Sequence, residues 1–69
     1  MNMISVNSSN LVAIGYDGSS MTLRVQFRTS IYDYFNVPSN VYDNLLNANS
    51  HGQYHAAYIK NSYQFKRVG

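Results

Sequence analysis

The sequence predicts an α+β domain, a three-stranded antiparallel β-meander with two short C-terminal helices packed on one face. Three observations carry that expectation. Residues 21–28, MTLRVQFR, alternate apolar and polar side chains with a period of two, the pattern of a half-buried strand. The run before them, LVAIGY (11–16), ends in Asp17-Gly18-Ser19-Ser20, a turn-forming cluster. Beyond Pro38 the period changes, and Val41, Leu45 and Ala48 fall on one helical stripe with Tyr42 and Leu46 beside it.

With residues 17–20 as the loop, Tyr16 stands opposite Met21, Ile14 opposite Leu23 and Val12 opposite Val25, so the two strands share an apolar face. A third strand is expected over Ile31–Asn36. Pro38 disfavours helical geometry at Val37 and removes a strand donor, and Ser39 is a good N-cap for the first helix. Asn47-Ala48-Asn49 ends that helix. Ser50 with Gln53 resembles a capping box, opening a second helix over His51–Ile59 with Tyr54 and Tyr58 one turn apart. The tail, SYQFKRV, sets Tyr63, Phe65 and Arg67 against Gln64, Lys66 and Val68, and reads either as a short edge strand or as an ordered extension. Residues 1–69 are read as a single domain, with residues 1–8 as a flexible N-terminus.

The parity of the link between the second and third strands decides where Tyr32 and Tyr34 point, because a one-residue slip turns every side chain over. An even link, with Thr29-Ser30 as the turn, puts Phe27 opposite Tyr32 and Val25 opposite Tyr34 on the core face. Asp33 then lands outside opposite Gln26, with Arg24 and Arg28 on the diagonals. An odd link would bury Asp33 opposite Phe27 with no cation in reach, which costs far more than exposing Ile31 or Phe35. Thr-Ser lacks the glycine or asparagine of tight two-residue hairpins, and a four-residue loop of the same parity meets that objection. We take the even register.

Sixty-nine residues without cysteine exclude disulfides and thiolate metal sites, and leave a tyrosine-rich core as the source of stability. Charged residues are 12% of the chain, about half the usual share, with five Lys or Arg, three Asp and a net charge of +2. No run approaches the ~18 apolar residues of a membrane span, and the N-terminus reads as no signal peptide, so the expected location is the cytoplasm with no membrane partner.

No catalytic residue, metal ligand or cofactor is expected. Asp17 reads as a turn residue, Asp33 as a partner of arginines, and Asp43 as an anion in the first turns of a helix. The serines occupy turns and caps, with no Gly-x-Ser-x-Gly elbow. His51 and His55 have metal-ligand spacing on a helix but no third ligand there, and read as a surface pair or a cap. One constellation has a chemical use. Arg24 and Arg28 share the outer sheet face, and Lys60, Lys66 and Arg67 surround Tyr63 and Phe65, a mixture suited to phosphate contacts plus base stacking. The competing reading is a solvated face neutralised by Asp33, with the tail aromatics packed on the sheet.

The order of these motifs, SSNLVAIGYD, then TLRVQFR, then IYDYFNVPSNVYDNLLNANSHGQY, resembles the KTSC domain family from Val6 to about Phe65. The most specific pieces are Ile14-Gly15-Tyr16-Asp17, Tyr32-x-Tyr34 with Val37-Pro38, and Val41-Tyr42 leading to Leu45-Leu46. That family comprises small bacterial and phage modules, some of them fused to the C-terminus of lysyl-tRNA synthetases. The resemblance implies a domain without an established activity, for which RNA binding is suggested by the fusion alone. The sequence departs from the family pattern at His55-Ala56 and at Tyr63-Gln64-Phe65.

Two functions follow as expectations. The first is a non-enzymatic module that binds RNA, either tRNA or a single strand, through Arg24, Arg28, Lys60, Tyr63, Phe65, Lys66 and Arg67. The alternative is a protein-interaction module that docks on a host protein through Ile31, Phe35 or a strand edge. The sequence assigns no oligomeric state.

Overall fold

The computed structural model describes residues Met1–Gly69 and contains five strands in sequence order, where the sequence led us to expect three. They are β1 (Met3–Ser5), β2 (Leu11–Asp17), β3 (Thr22–Phe27), β4 (Ile31–Tyr34) and β5 (Phe65–Arg67), all antiparallel to their neighbours. The two additional strands are the edges, each of three residues. β1 lies within the stretch read as a flexible N-terminus, and β5 settles the two readings of the tail in favour of an edge strand.

The β2–β3 hairpin is displaced by two residues from the expected pairing. Tyr16 faces Leu23 and Ile14 faces Val25, so the parity, and with it the core face, is unchanged. The Asp17 carboxylate accepts from the Ser19 backbone N–H at 3.0 Å and the Ser19 hydroxyl at 2.7 Å, which shapes a loop that extends through Met21. These bonds hold the Asp17 carboxyl below the usual carboxylate range. Met21 adopts φ 53° and is exposed, so it leaves the core that alternation assigned to it. Register also shifts between Leu11 and Ala13, and this bulge turns Val12 outward and Leu11 inward.

Between β3 and β4 the link is the four-residue loop 27–30. Val25 therefore faces Tyr32, Leu23 faces Tyr34, and Arg24 stands directly opposite Asp33. β4 ends at Tyr34, two residues earlier than expected, because Asn36 takes φ 57°. The first helix, α1 (Ser39–Leu46), is capped by Pro38 in extended geometry, so Ser39 is its first helical residue and makes no side-chain cap bond. Ser50 accepts at its hydroxyl from the Gln53 N–H at 3.2 Å and opens α2 (His51–Tyr54). From there the chain continues as a π-helix (His55–Ile59), closed by Lys60 N–H donating to the His55 carbonyl.

The core between sheet and helices comprises Leu11, Ile14, Leu23, Val25, Tyr34, Val37, Leu45 and Ile59. Tyr16 fixes α1 above the sheet, since its hydroxyl donates to the Val37 carbonyl and its ring stacks on Tyr42 with centroids 5.2 Å apart. On the opposite sheet face Met3, Gly15, Arg24, Asp33 and Lys66 form one cross-strand row. A Cβ at Gly15 would lie 2.6 Å from the Met3 sulfur and 2.9 Å from the Asn2 carbonyl. Glycine is therefore what lets the N-terminal residues lie across β2. No helix is long and apolar enough to cross a membrane.

Candidate nucleic-acid interface

The structure distributes the seven sequence-predicted residues over both faces of the sheet. Arg24 and Lys66 lie in the outer row on either side of Asp33. Arg24 donates from Nε to Asp33 Oδ1 at 2.7 Å and from Nη2 to Oδ2 at 2.9 Å, a bidentate pair. Those bonds, with the Asp33 charge, raise the Arg24 pKa above its ordinary value. Arg24 is thus neutralised in place. Asp33 is only 7% exposed, whereas the sequence reading left it on an open outer face. β5, which that reading did not require, flanks it with Lys66.

Phe65 and Arg67 point to the helix side, opposite Tyr34 and Tyr32 respectively. Phe65 is 54% exposed, while its ring centroid lies 5.7 Å from that of Tyr32 and 5.8 Å from that of Tyr34. Tyr63 is half-buried against the core and offers little free ring surface. Arg67 donates to the Gly69 carbonyl at 2.9 Å and the Thr29 carbonyl at 3.3 Å. Arg28 donates twice to the Ser9 carbonyl, at 3.1 and 3.0 Å. Lys60 caps the π-helix.

The charges are segregated. Arg24–Asp33 is the one ion pair between side chains, so Arg28, Lys60 and Lys66 carry charge without a carboxylate partner, while Arg67 is engaged by the oxygen of Gly69. The other carboxylates sit elsewhere: Asp17 ends β2 where β3 begins, and Asp43 lies in α1. Arg28 follows β3 at the opposite end of the sheet, and Arg67 pairs with Tyr32 near the start of β4.

Between the tyrosine side of the sheet and the π-helix opens a cleft of about 370 Å³. Phe27, Tyr32, Tyr34 and Phe65 line it from the sheet, and His55, Ala56 and Lys60 from the helix. Asn10, Gly52 and Asn61 complete it. The exposed aromatic surface is therefore on the Tyr32–Tyr34 side of the sheet, not behind it. Sequence reasoning missed this because it read His55 with His51 as a surface pair or a cap. The two rings in fact diverge. His51 donates from Nε2 to the Leu46 carbonyl at 3.2 Å, tying α2 to the end of α1. His55 turns inward, its Nε2 2.8 Å from the Tyr34 hydroxyl and its ring edge-on to Phe27. The signal was available in the spacing of His55 to Ile59, four residues apart and both buried.

The Tyr34 hydroxyl and the His55 imidazole share one hydrogen bond whose donor is set by the imidazole tautomer, and neutral forms of both groups satisfy it. Burial, with the nearby Lys60 charge, lowers the His55 pKa, and burial raises that of Tyr34, with Tyr32 adding to the shift. Both effects keep the pair neutral. Because the folded pKa of His55 lies below its unfolded value of 6.5, the unfolded chain binds the extra proton in that window. Stability is then full above about pH 6.5 and falls as pH drops through the window below it. Melting curves from pH 7.5 to 5 should show a decline in Tm that is reduced in His55→Gln. An identical decline in that variant would contradict the assignment.

The KTSC domain family profile matches residues 7–63. The chain is 34% identical over 67 residues to a lysine–tRNA ligase of Nostoc sp. (strain PCC 7120), covering 96% of the chain and 12% of that relative. A lysine–tRNA ligase of Nostoc punctiforme is 31% identical over the same proportions. The chain therefore spans only about an eighth of the length of these curated relatives. The crystal structure of a KTSC domain protein from Yersinia pestis superposes with a TM-score of 0.96 at 32% identity, covering 99% of this chain and 97% of that one.

Proposed function

The chain belongs to the KTSC domain family, and from that premise we propose that it is a non-enzymatic cytoplasmic module that binds single-stranded RNA. The observation that carries this reading is an exposed aromatic cleft with a lysine in its wall and further basic residues on the adjoining edge strand. Lys60 lines the cleft, Arg67 stands opposite Tyr32 on β5, and Lys66 lies on the outer face of the same edge strand, while Phe65 presents more than half its surface beside Tyr32. Cations track a phosphate backbone, and aromatic faces stack on bases whatever their identity. The similarity to a segment of lysine–tRNA ligases supports RNA as the polymer. Arg24 and Tyr63 are left out of this site, the first neutralised by Asp33 and the second packed on the core.

Docking on a host protein is the weaker reading. Of its two apolar contacts, Ile31 is tied to the tail through its backbone, which bonds Val68 and Gly69, and Phe35 is half-buried.

The test is a titration of a fluorescent single-stranded ribooligonucleotide at several salt concentrations. With about three cations engaged, log K should fall with log salt at a slope of about −2. Phe65→Ala should weaken binding by about 1–3 kcal/mol at unchanged slope, and Lys60→Ala should reduce the slope by about 0.7. No salt-dependent binding at micromolar protein would rule the reading out.

A further inference from the structure

We propose that the cleft between the π-helix and strands β3–β5 holds a single nucleotide of the bound strand, its base against the aromatic rings and its phosphate at Lys60. This deepens, and rests on, the nucleic-acid reading of the same surface.

The volume of about 370 Å³ lies at the small end of ligand sites, which run from about 300 to 1,000 Å³, and suits one nucleotide rather than a stacked run. Its chemistry is one-sided. Aromatic rings form the sheet wall, Lys60 supplies the only charge of the lining, and no carboxylate contributes to it. His55 is kept neutral by burial, so the imidazole adds a polar edge and no second cation. An aromatic, anionic occupant complements that combination.

Polar groups for a base edge are in place as well. The Asn61 side-chain amide has no partner within the protein, and Asn10, whose Oδ1 accepts from the Ser8 hydroxyl at 3.2 Å, lies against Gly52 with its amide nitrogen free. A Cβ at position 52 would lie 2.6 Å from Asn10 Oδ1, so a larger residue there would displace the amide. The wall carrying His55, Ala56 and Lys60 is a π-turn, an irregularity frequent at functional sites.

The probes are 5′-AMP, titrated into isotopically labelled protein and followed by NMR, and a ribooligonucleotide. AMP is expected to shift the resonances of Tyr32, His55 and Phe65 with a dissociation constant on the order of 1 mM. Ala56→Phe, which fills the cleft from an exposed helix position, should abolish those shifts while leaving the dispersion of the spectrum intact. It should also weaken the oligonucleotide about tenfold with the salt slope unchanged. Asn61→Ala should weaken AMP several-fold without altering stability. The proposal is overturned if about 10 mM AMP leaves these resonances unmoved. It is equally overturned if Ala56→Phe binds the oligonucleotide as the unaltered protein does, an outcome that leaves the broader RNA reading standing. N-acetylphenylalanine amide shifting the same resonances more strongly than AMP would overturn it in favour of a peptide side chain. If the oligonucleotide fails to bind at all, the RNA reading falls, and AMP shifts would then show a mononucleotide site in its place.

Discussion

Replacing Ile59 by alanine should lower the free energy of unfolding by about 3 kcal/mol, the usual cost of a large cavity in a core that cannot collapse onto it. Ile59 is completely buried and belongs to the same cluster as Leu23, Val25 and Leu45. A domain of this length has only about 3–10 kcal/mol in total, so the variant should lose much of its margin. At about 4–8 °C per kcal/mol, Tm should fall by about 12–24 °C. Leu45→Ala, equally buried on α1, should cost a similar amount. The two should differ in what happens to the cleft. Ile59 shares its π-helix with His55, whereas Leu45 anchors the helix tied to Tyr16 at the far end of β2. Below its own melting point, Ile59→Ala should therefore weaken the Tyr34–His55 bond and any AMP shifts, and Leu45→Ala should leave both intact. A loss of less than about 1 kcal/mol in Ile59→Ala would show that the π-helix is not anchored through this residue.

The faces of the sheet were legible because parity survives a register error of two. The pairing of Ile14 moved from Leu23 to Val25, yet all three remain in the core. Asp33 was the most informative residue of the sequence. Its need for a cation turned Tyr32 and Tyr34 inward, and in the structure that cation is Arg24, directly across the strand. What stayed hidden has identifiable causes. Strands of three residues, such as Met3–Ser5 and Phe65–Arg67, are too short to display a period, and β5 pairs with β4 only after both helices intervene. The bulge at Val12 breaks the alternation it would be judged by. The change to π-hydrogen bonding at His55 has no marker in residue type, there being neither proline nor glycine between 53 and 60. The cleft was missed for a different reason. A histidine is counted as polar surface until its partner is known, and that partner, Tyr34, is distant in sequence.

Asp33→Asn is expected to move stability and RNA affinity in opposite directions. The substitution preserves shape but removes the charge that both Arg24 bonds require, and should cost about 1–2 kcal/mol in urea unfolding. The cost stays below the about 3–5 kcal/mol typical of a broken, fully buried pair. The Arg24 side chain is 37% exposed, so water screens the charge left behind. That same charge then becomes available. The outer row would carry Arg24 and Lys66 with no carboxylate between them, beside the edge strand whose other face bears Phe65 and Arg67. If a single strand crosses the β5 edge, the variant should bind it about two- to fivefold tighter at low salt, with a slope steeper by about 0.7. Arg24→Ala in the unaltered background should weaken binding, because it leaves the Asp33 carboxylate uncompensated beside Lys66, whereas Arg24→Ala combined with Asp33→Asn removes both charges and should leave affinity unchanged. A fall in affinity for Asp33→Asn that tracks its fall in stability would mean that the ion pair supports the binding surface structurally, and that the RNA path does not reach the outer face.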